Sequence, residues 1–200
     1  MKNSRDKGKR GERQWRDELR ANGYAARRGQ QFSGSPDSPD VICDGLPWAH
    51  FEVKFVEHLN VSAAMAQARR DAGGKAAFVA HRRNHRPWLI SMDAERFYRL
   101  LRRDLSGEWA VQKTAEHPLT TCAEFAWLRC GGVPPRANIP EAVRQAVRDA
   151  GKCVAVVAHQ DRDGRWLVTI TAETFFKFLG GTLPPENKPT EQQEQQKQNV

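Results

Sequence analysis

The chain lacks any apolar run long enough to cross a bilayer. The longest, Cys153 to Ala158, falls far short of the ~20 residues a helical span needs. No apolar stretch follows the charged N-terminus Met1-Lys-Asn-Ser-Arg-Asp6, so a secretory signal is not expected either. Cysteine is scarce: four in 200 residues, Cys43, Cys122, Cys130 and Cys153, with no Cys-x-x-Cys pair among them. That spacing argues against a disulfide framework and against the common zinc sites, and it leads us to expect a reduced, cytoplasmic protein with small buried thiols. Acidic charge is short in one half only. The whole chain has 32 Lys+Arg against 24 Asp+Glu, a net of +8. Residues 1–104 hold 21 basic and 13 acidic side chains, whereas residues 105–200 hold 11 of each. A polyanion-binding surface is therefore expected in the first half.

What the chain does contain is an internal repeat. Residues 60–101 match 138–179 at a constant offset of 78, with 18 identities in 42 positions and no gap. Gln67-Ala-Arg-Arg-Asp-Ala-Gly73 returns as Gln145-Ala-Val-Arg-Asp-Ala-Gly151, and His81, Trp88, Glu95 and Phe97 return as His159, Trp166, Glu173 and Phe175. Similar composition alone would not align His, Trp and Glu together, so duplication is the better reading. Each copy reads as helix, strand, strand, helix. Asn60 or Ser62 caps the first helix, Gly73-Gly74 stops it, and Asp93 opens the second. Asp163-Gly164 marks a hairpin turn in the later copy. The segment 184–200 is Pro, Glu, Gln, Lys and Asn without core formers, and is expected to be disordered.

The segment before the first copy is not repeated, and it carries the residues with chemistry. Lys7 to Asn22 reads as a helix ended by Gly23, Tyr24 to Phe32 as extended, and Asp40 to Asp44 and Ala49 to Val56 as strands around a Gly45-Leu-Pro47 turn. In Phe51-Glu-Val-Lys-Phe55 the aromatic and aliphatic residues share one face, so Glu52 and Lys54 share the other. Asp40 opens the partner strand across from Glu52. An Asp and a Glu brought together on one sheet face repel unless a cation lies between them, and oxygen ligands of this kind suit Mg²⁺. Lys54 beside such an ion can orient a water or offset charge on a pentavalent phosphate. Glu12 lies on the same helix side as Trp15 and Leu19, where a carboxylate needs a partner or a metal. Arg16, at i+4, is one available partner. Basic residues flank the helix, and Arg27, Arg28, Ser33 and Ser35 follow.

Lys7-Gly8, Glu12-Arg13, Leu19, Gly23-Tyr24, Arg28, Ser-Gly-Ser, Pro39-Asp40 and Glu52-Val53-Lys54, taken together, resemble the PD-(D/E)xK nuclease superfamily. Within it, they are most similar to the archaeal-type Holliday-junction resolvases and their phage-encoded relatives. The resemblance spans about residues 7–92. It implies a restriction-endonuclease-like fold and Mg²⁺-dependent cleavage of branched DNA by a homodimer, with Mn²⁺ able to substitute, in a bacterial, archaeal or phage-infected cell. It also implies that Glu12, Asp40, Glu52 and Lys54 are catalytic, with Asp40 and Glu52 on the metal, Lys54 assisting and Glu12 supporting the site. Arg13 and Arg28 match positions that contact backbone phosphates. Lys7, Lys9, Arg10, Arg27 and Ser35 join them as candidate DNA contacts.

A second ExK, Glu186-Asn-Lys188, falls in the Pro/Gln-rich tail, where no strand can form, and serves as an internal control. Asp37, in a second Ser-Pro-Asp, competes with Asp40; Asp40 directly precedes Val41-Ile-Cys43, so it is the one a strand would hold. Gln67 is set aside because Gln145 repeats it where the carboxylates are absent, and His81 is read as structural because His159 repeats it.

The expected fold is thus an α/β, restriction-endonuclease-like mixed sheet flanked by helices, followed by a degenerate partial repeat (α-β-β-α). The expected domains are a nuclease domain over 1–104, a duplicate lacking the acidic site over 105–183, and the tail from 184. The expected function is Mg²⁺-dependent hydrolysis of phosphodiesters in branched DNA, with no membrane partner and no small-molecule cofactor. Two alternatives stand beside it: a restriction- or repair-type nickase on duplex DNA, and a catalytically silent DNA-binding or scaffold protein.

Overall fold

The computed structural model describes residues 4–29, 39–102, 128–133 and 137–182. The expected domain boundaries at 104 and 183, and the tail beyond, lie outside these residues. Helix α1 spans Ser4–Ala21, followed by strands β1 (Ala26–Arg28), β2 (Val41–Cys43) and β3 (Ala49–Phe55). Helix α2 (Val61–Asp71), strands β4 (Ala76–Arg82) and β5 (Leu89–Asp93) and helix α3 (Ala94–Leu101) complete the first half. The second half contains β6 (Leu128–Val133), α4 (Ile139–Asp149), β7 (Val154–Gln160), β8 (Trp166–Thr171) and α5 (Ala172–Leu179). All eight strands join one mixed sheet, in the order β1-β2-β3-β4-β5-β8-β7-β6. The α/β architecture with flanking helices is the one the sequence leads us to expect.

Local chemistry sets the element ends. Gly23 takes φ +85° after α1, and the Tyr24 N–H donates back to the Leu19 carbonyl at 3.0 Å, closing the helix in a Schellman turn. Asn60 accepts from the Ala63 N–H at 3.0 Å, and its counterpart Asn138 caps α4 in the same way. Two helix layers cover the sheet. Helices α1, α3 and α5 pack on one face, in a core containing Trp15, Phe51, Phe78, Ile90, Phe97 and Phe175. Helices α2 and α4 cover the other, over Val79, Leu89, Val157 and Leu167. Helix α1 lies so close to β3 that a methyl group at Gly11 would stand 2.7 Å from Phe55 Cβ.

Two features depart from the sequence reading. Among the described residues of the extended stretch after Gly23, the strand covers Ala26–Arg28. Strand β6 is new: it pairs parallel with β7, as β3 pairs with β4. Its register is shifted by one residue from the repeat offset. Glu52 and Lys54 lie beside Val79 and His81, but Gly131 and Val133, rather than Cys130 and Gly132, lie beside their counterparts Val157 and His159. No carboxylate occupies the equivalent place under either register.

Candidate active site

Strands β2 and β3 pair antiparallel with Val41 opposite Phe51, which makes Asp40 and Glu52 cross-strand neighbours. Asp40 Oδ2 accepts a hydrogen bond from the Val53 N–H at 3.0 Å, which ties the carboxylate to the β3 backbone. Burial, and then the charge of Glu52, push the Asp40 carboxyl up to about 6, against the opposing pull of the Val53 N–H. Glu52 is 5% exposed, and its Oε1 meets Lys54 Nζ at 2.5 Å. The alternation of β3 therefore brings the acid and the amine together on the α2 face, as its pattern requires.

Glu12 approaches from α1. Its Oε2 accepts from Arg28 Nε at 2.9 Å and from a second nitrogen of the same guanidinium. The sequence leaves Arg16 open as its partner; Arg16 instead pairs with Asp17. The reason is geometric. Helix α1 packs on β1, which brings Arg28 to the Glu12 carboxylate, while Arg16 is held by the neighbouring Asp17.

Gln67 is the residue that sequence reasoning set aside. Its Oε1 accepts from Lys54 Nζ at 3.1 Å, so the amine is held between Glu52 and the α2 amide. Its recurrence as Gln145 is misleading, because Gln145 lies on the exposed side of α4 and donates to Asp149 at 2.7 Å. The available signal was the α2 spacing, in which Gln67 falls between the buried positions Ala64 and Ala68. His81 and His159 are buried away from solvent and bonded to Ser91 and Thr169, and burial lowers their pKa values to about 3 and about 4. Both are neutral structural groups at physiological pH.

The candidate DNA contacts scatter around this centre. Lys7 pairs with Glu57 at 2.9 Å, and Arg10 lies 4.9 Å from the Phe55 ring centroid. Lys9 and Arg13 are exposed on α1, and Arg27 is 3.5 Å from Asp44. Ser33, Ser35 and Asp37 lie outside the described residues. One basic feature was not anticipated. Arg82, stacked over Phe55 and Trp88, also lines a cleft of about 630 Å³ with Arg83 and Arg86 from the first half and Arg144 and Arg148 from α4. Glu18, Glu141 and Glu173 share the lining, and Glu141 pairs with both Arg144 and Arg148, so among the described residues the unpaired arginines of the cleft come from the first half.

Among the described residues, no three His, Cys, Asp or Glu side chains group closely enough to form a metal centre alone. Two carboxylates suffice for Mg²⁺, which keeps waters and phosphate oxygens in its remaining positions. Asp40 and Glu52 fit that demand: their mutual repulsion, which helps to raise Asp40, is what a cation would relieve.

No protein-family model matches the chain, and no curated protein matches it. Among solved structures it is similar to Hjc from Archaeoglobus fulgidus, a Holliday junction resolvase from an archaeal hyperthermophile. The identity is 26%, over 40% of this chain and 73% of that one, with a TM-score of 0.32. No described helix is long and apolar enough to cross a membrane.

Proposed function

We propose that the chain is a Mg²⁺-dependent endonuclease that hydrolyses phosphodiester bonds in DNA, acting on branched or otherwise structured DNA. The observation that carries this reading is the pairing of half-buried Asp40 with buried Glu52 on adjacent strands, with Lys54 fastened beside it. Two acids forced together at the cost of a raised Asp40 pKa serve the fold poorly and a cation well. The motif pattern over Lys7 to Lys54 supports the same chemistry and is the basis for the branched substrate.

Asp40 and Glu52 would hold the ion. When bound, it supplies charge to the non-bridging phosphate oxygens and lowers the pKa of a water. The chain's own groups do the rest. Lys54, aimed by Glu52 and Gln67, sits where its ammonium can offset the charge that develops on the phosphorane. Glu12 holds the Arg28 guanidinium beside the site, within reach of an adjacent backbone phosphate. Water adds to phosphorus, one P–O ester bond breaks, and the products are a phosphate monoester and a hydroxyl end. The basic rim around Arg82 is the surface for the flanking duplex.

The test is cleavage of a four-way junction, a flap and a linear duplex in Mg²⁺, compared with Glu52→Ala. Wild type should cut, with the junction or flap preferred; the variant should lose cleavage and retain binding in Ca²⁺. A wild type that binds DNA and cuts none of the three in Mg²⁺ or Mn²⁺ refutes the reading.

A further inference from the structure

The two repeats meet across an internal axis. Along the β5–β8 pairing, Ser91 lies opposite Thr169, and these residues are each other's counterparts at the 78-residue offset. On either side the partners exchange. Leu89 faces Thr171 and Asp93 faces Leu167, where Leu167 is the counterpart of Leu89 and Thr171 that of Asp93. Such reciprocity, in which i meets j and the counterpart of j meets that of i, is the mark of an isologous two-fold interface.

The buried side chains at the axis follow the same rule. His81 Nε2 lies 2.9 Å from Ser91 Oγ, Ser91 Oγ lies 2.7 Å from Thr169 Oγ1, and His159 Nε2 lies 3.2 Å from Thr169 Oγ1. A continuous, uncharged hydrogen-bond row therefore runs from one repeat into the other. On one side of the axis Arg69 of α2 reaches past Asp93 to Asp161 in the β7–β8 turn at 3.2 Å, an ion pair between the halves. Without the second repeat, β5 would be an edge strand with a free row of backbone N–H and C=O groups. Its own chain covers that edge.

We propose that the second repeat is a built-in partner subunit. It occupies the surface through which two copies of the first half would pair, so the protein works as a monomer with one cutting site. It incises one DNA strand per encounter. The counterpart strand β6 presents Gly131 and Val133 where β3 presents Glu52 and Lys54, so among the described residues the inner two-fold relates the acid and the amine to a glycine and a valine. The homodimer that the motif resemblance implies is thereby replaced within a single chain. The incision count rests on the nuclease reading, whereas the monomeric state does not.

Three measurements on the full chain test it. Static light scattering should give about the chain mass of 22.7 kDa, and twice that mass overturns the proposal. The double variant Ser91→Cys with Thr169→Cys, oxidised and run without reductant beside the two single variants, should form a cross-link within one chain. A cross-linked dimer would mean that β5 and β8 pair between molecules, and would overturn it. Third, a supercoiled plasmid carrying a cruciform should be converted first to the nicked circle, with linear DNA appearing only afterwards. Linear DNA as the first product refutes single incision. A monomer that cuts nothing refutes the nuclease reading and leaves the internal pairing standing on the first two results.

Discussion

Replacing Asp40 by Asn should stabilise the protein while abolishing its activity. The native carboxyl is raised from 3.8 to about 6 by burial and by Glu52. At ~1.4 kcal/mol per pKa unit, an ionised Asp40 costs the folded state roughly 3 kcal/mol. The sign follows from linkage. Below the unfolded pKa the acid is protonated in both states and costs nothing. Between the unfolded value and the folded one, the unfolded chain has released a proton that the native state still holds, so stability falls across that window and the loss is complete above the folded value. Asn is never charged, and its Oδ1 can still accept from the Val53 N–H. In EDTA at pH 8, Asp40→Asn should therefore melt roughly 6–12 °C above wild type, taking ~2–4 °C per kcal/mol for a domain of this size. At pH 4 the difference should shrink towards zero. Added Mg²⁺ should then raise wild type alone, by about 2.7 kcal/mol at a hundredfold excess over its Kd. The measurement is thermal unfolding by circular dichroism at both pH values, with and without the metal. A variant that is less stable at pH 8, or an advantage that does not change with pH, would refute the picture of two carboxylates held together against their repulsion.

Gln67→Ala should lower the cleavage rate roughly tenfold, a loss of ~1–1.5 kcal/mol in transition-state stabilisation, with junction affinity in Ca²⁺ unchanged; single-turnover kinetics separates the two effects. Gln67→Glu, which keeps an acceptor for Lys54, should retain more of the rate than Ala does, and equal losses would deny the amide a positioning role. Gly11→Ala should destabilise by ~1–3 kcal/mol in denaturant unfolding, because the added methyl group would meet Phe55 Cβ at 2.7 Å and push α1 off β3. Arg86→Glu with Arg148→Glu, both on exposed cleft residues, should weaken DNA binding and reduce the slope of log affinity against log salt by about 2. An unchanged slope in a fluorescence-anisotropy titration would remove the cleft from the DNA path.

Much of the site is legible in a few local patterns. The alternation of Phe51, Val53 and Phe55 puts Glu52 and Lys54 on one face whatever surrounds the strand, because side-chain direction in a strand has period two. The turn at Gly45-Leu-Pro47 fixes Asp40 near Glu52 for the same local reason. Asn60, Gly23 and Asp163-Gly164 likewise mark their element ends through their own backbone preferences. The repeat, read at a fixed offset, reveals a duplicated helix-strand-strand-helix unit.

Other relations depend on elements far apart in the chain, and no local pattern carries them. Glu12 had Arg16 within reach on its own helix, but the docking of α1 over β1 gave it Arg28. Gln67 seemed structural because Gln145 repeats it, yet packing against β3 turns the first towards Lys54 while the second stays on an exposed face. Strand β6 and its one-residue shift were hidden because its register is set by pairing with β7, not by its position in the repeat. The joining of β5 to β8 about Ser91 and Thr169 is the largest such relation. By itself the sequence determined that there are two similar halves and that only one keeps the acids and the lysine. Tertiary structure alone decided that the halves share one sheet back to back, because strand pairing satisfies backbone groups wherever an open edge and a matching face meet, at any separation along the chain.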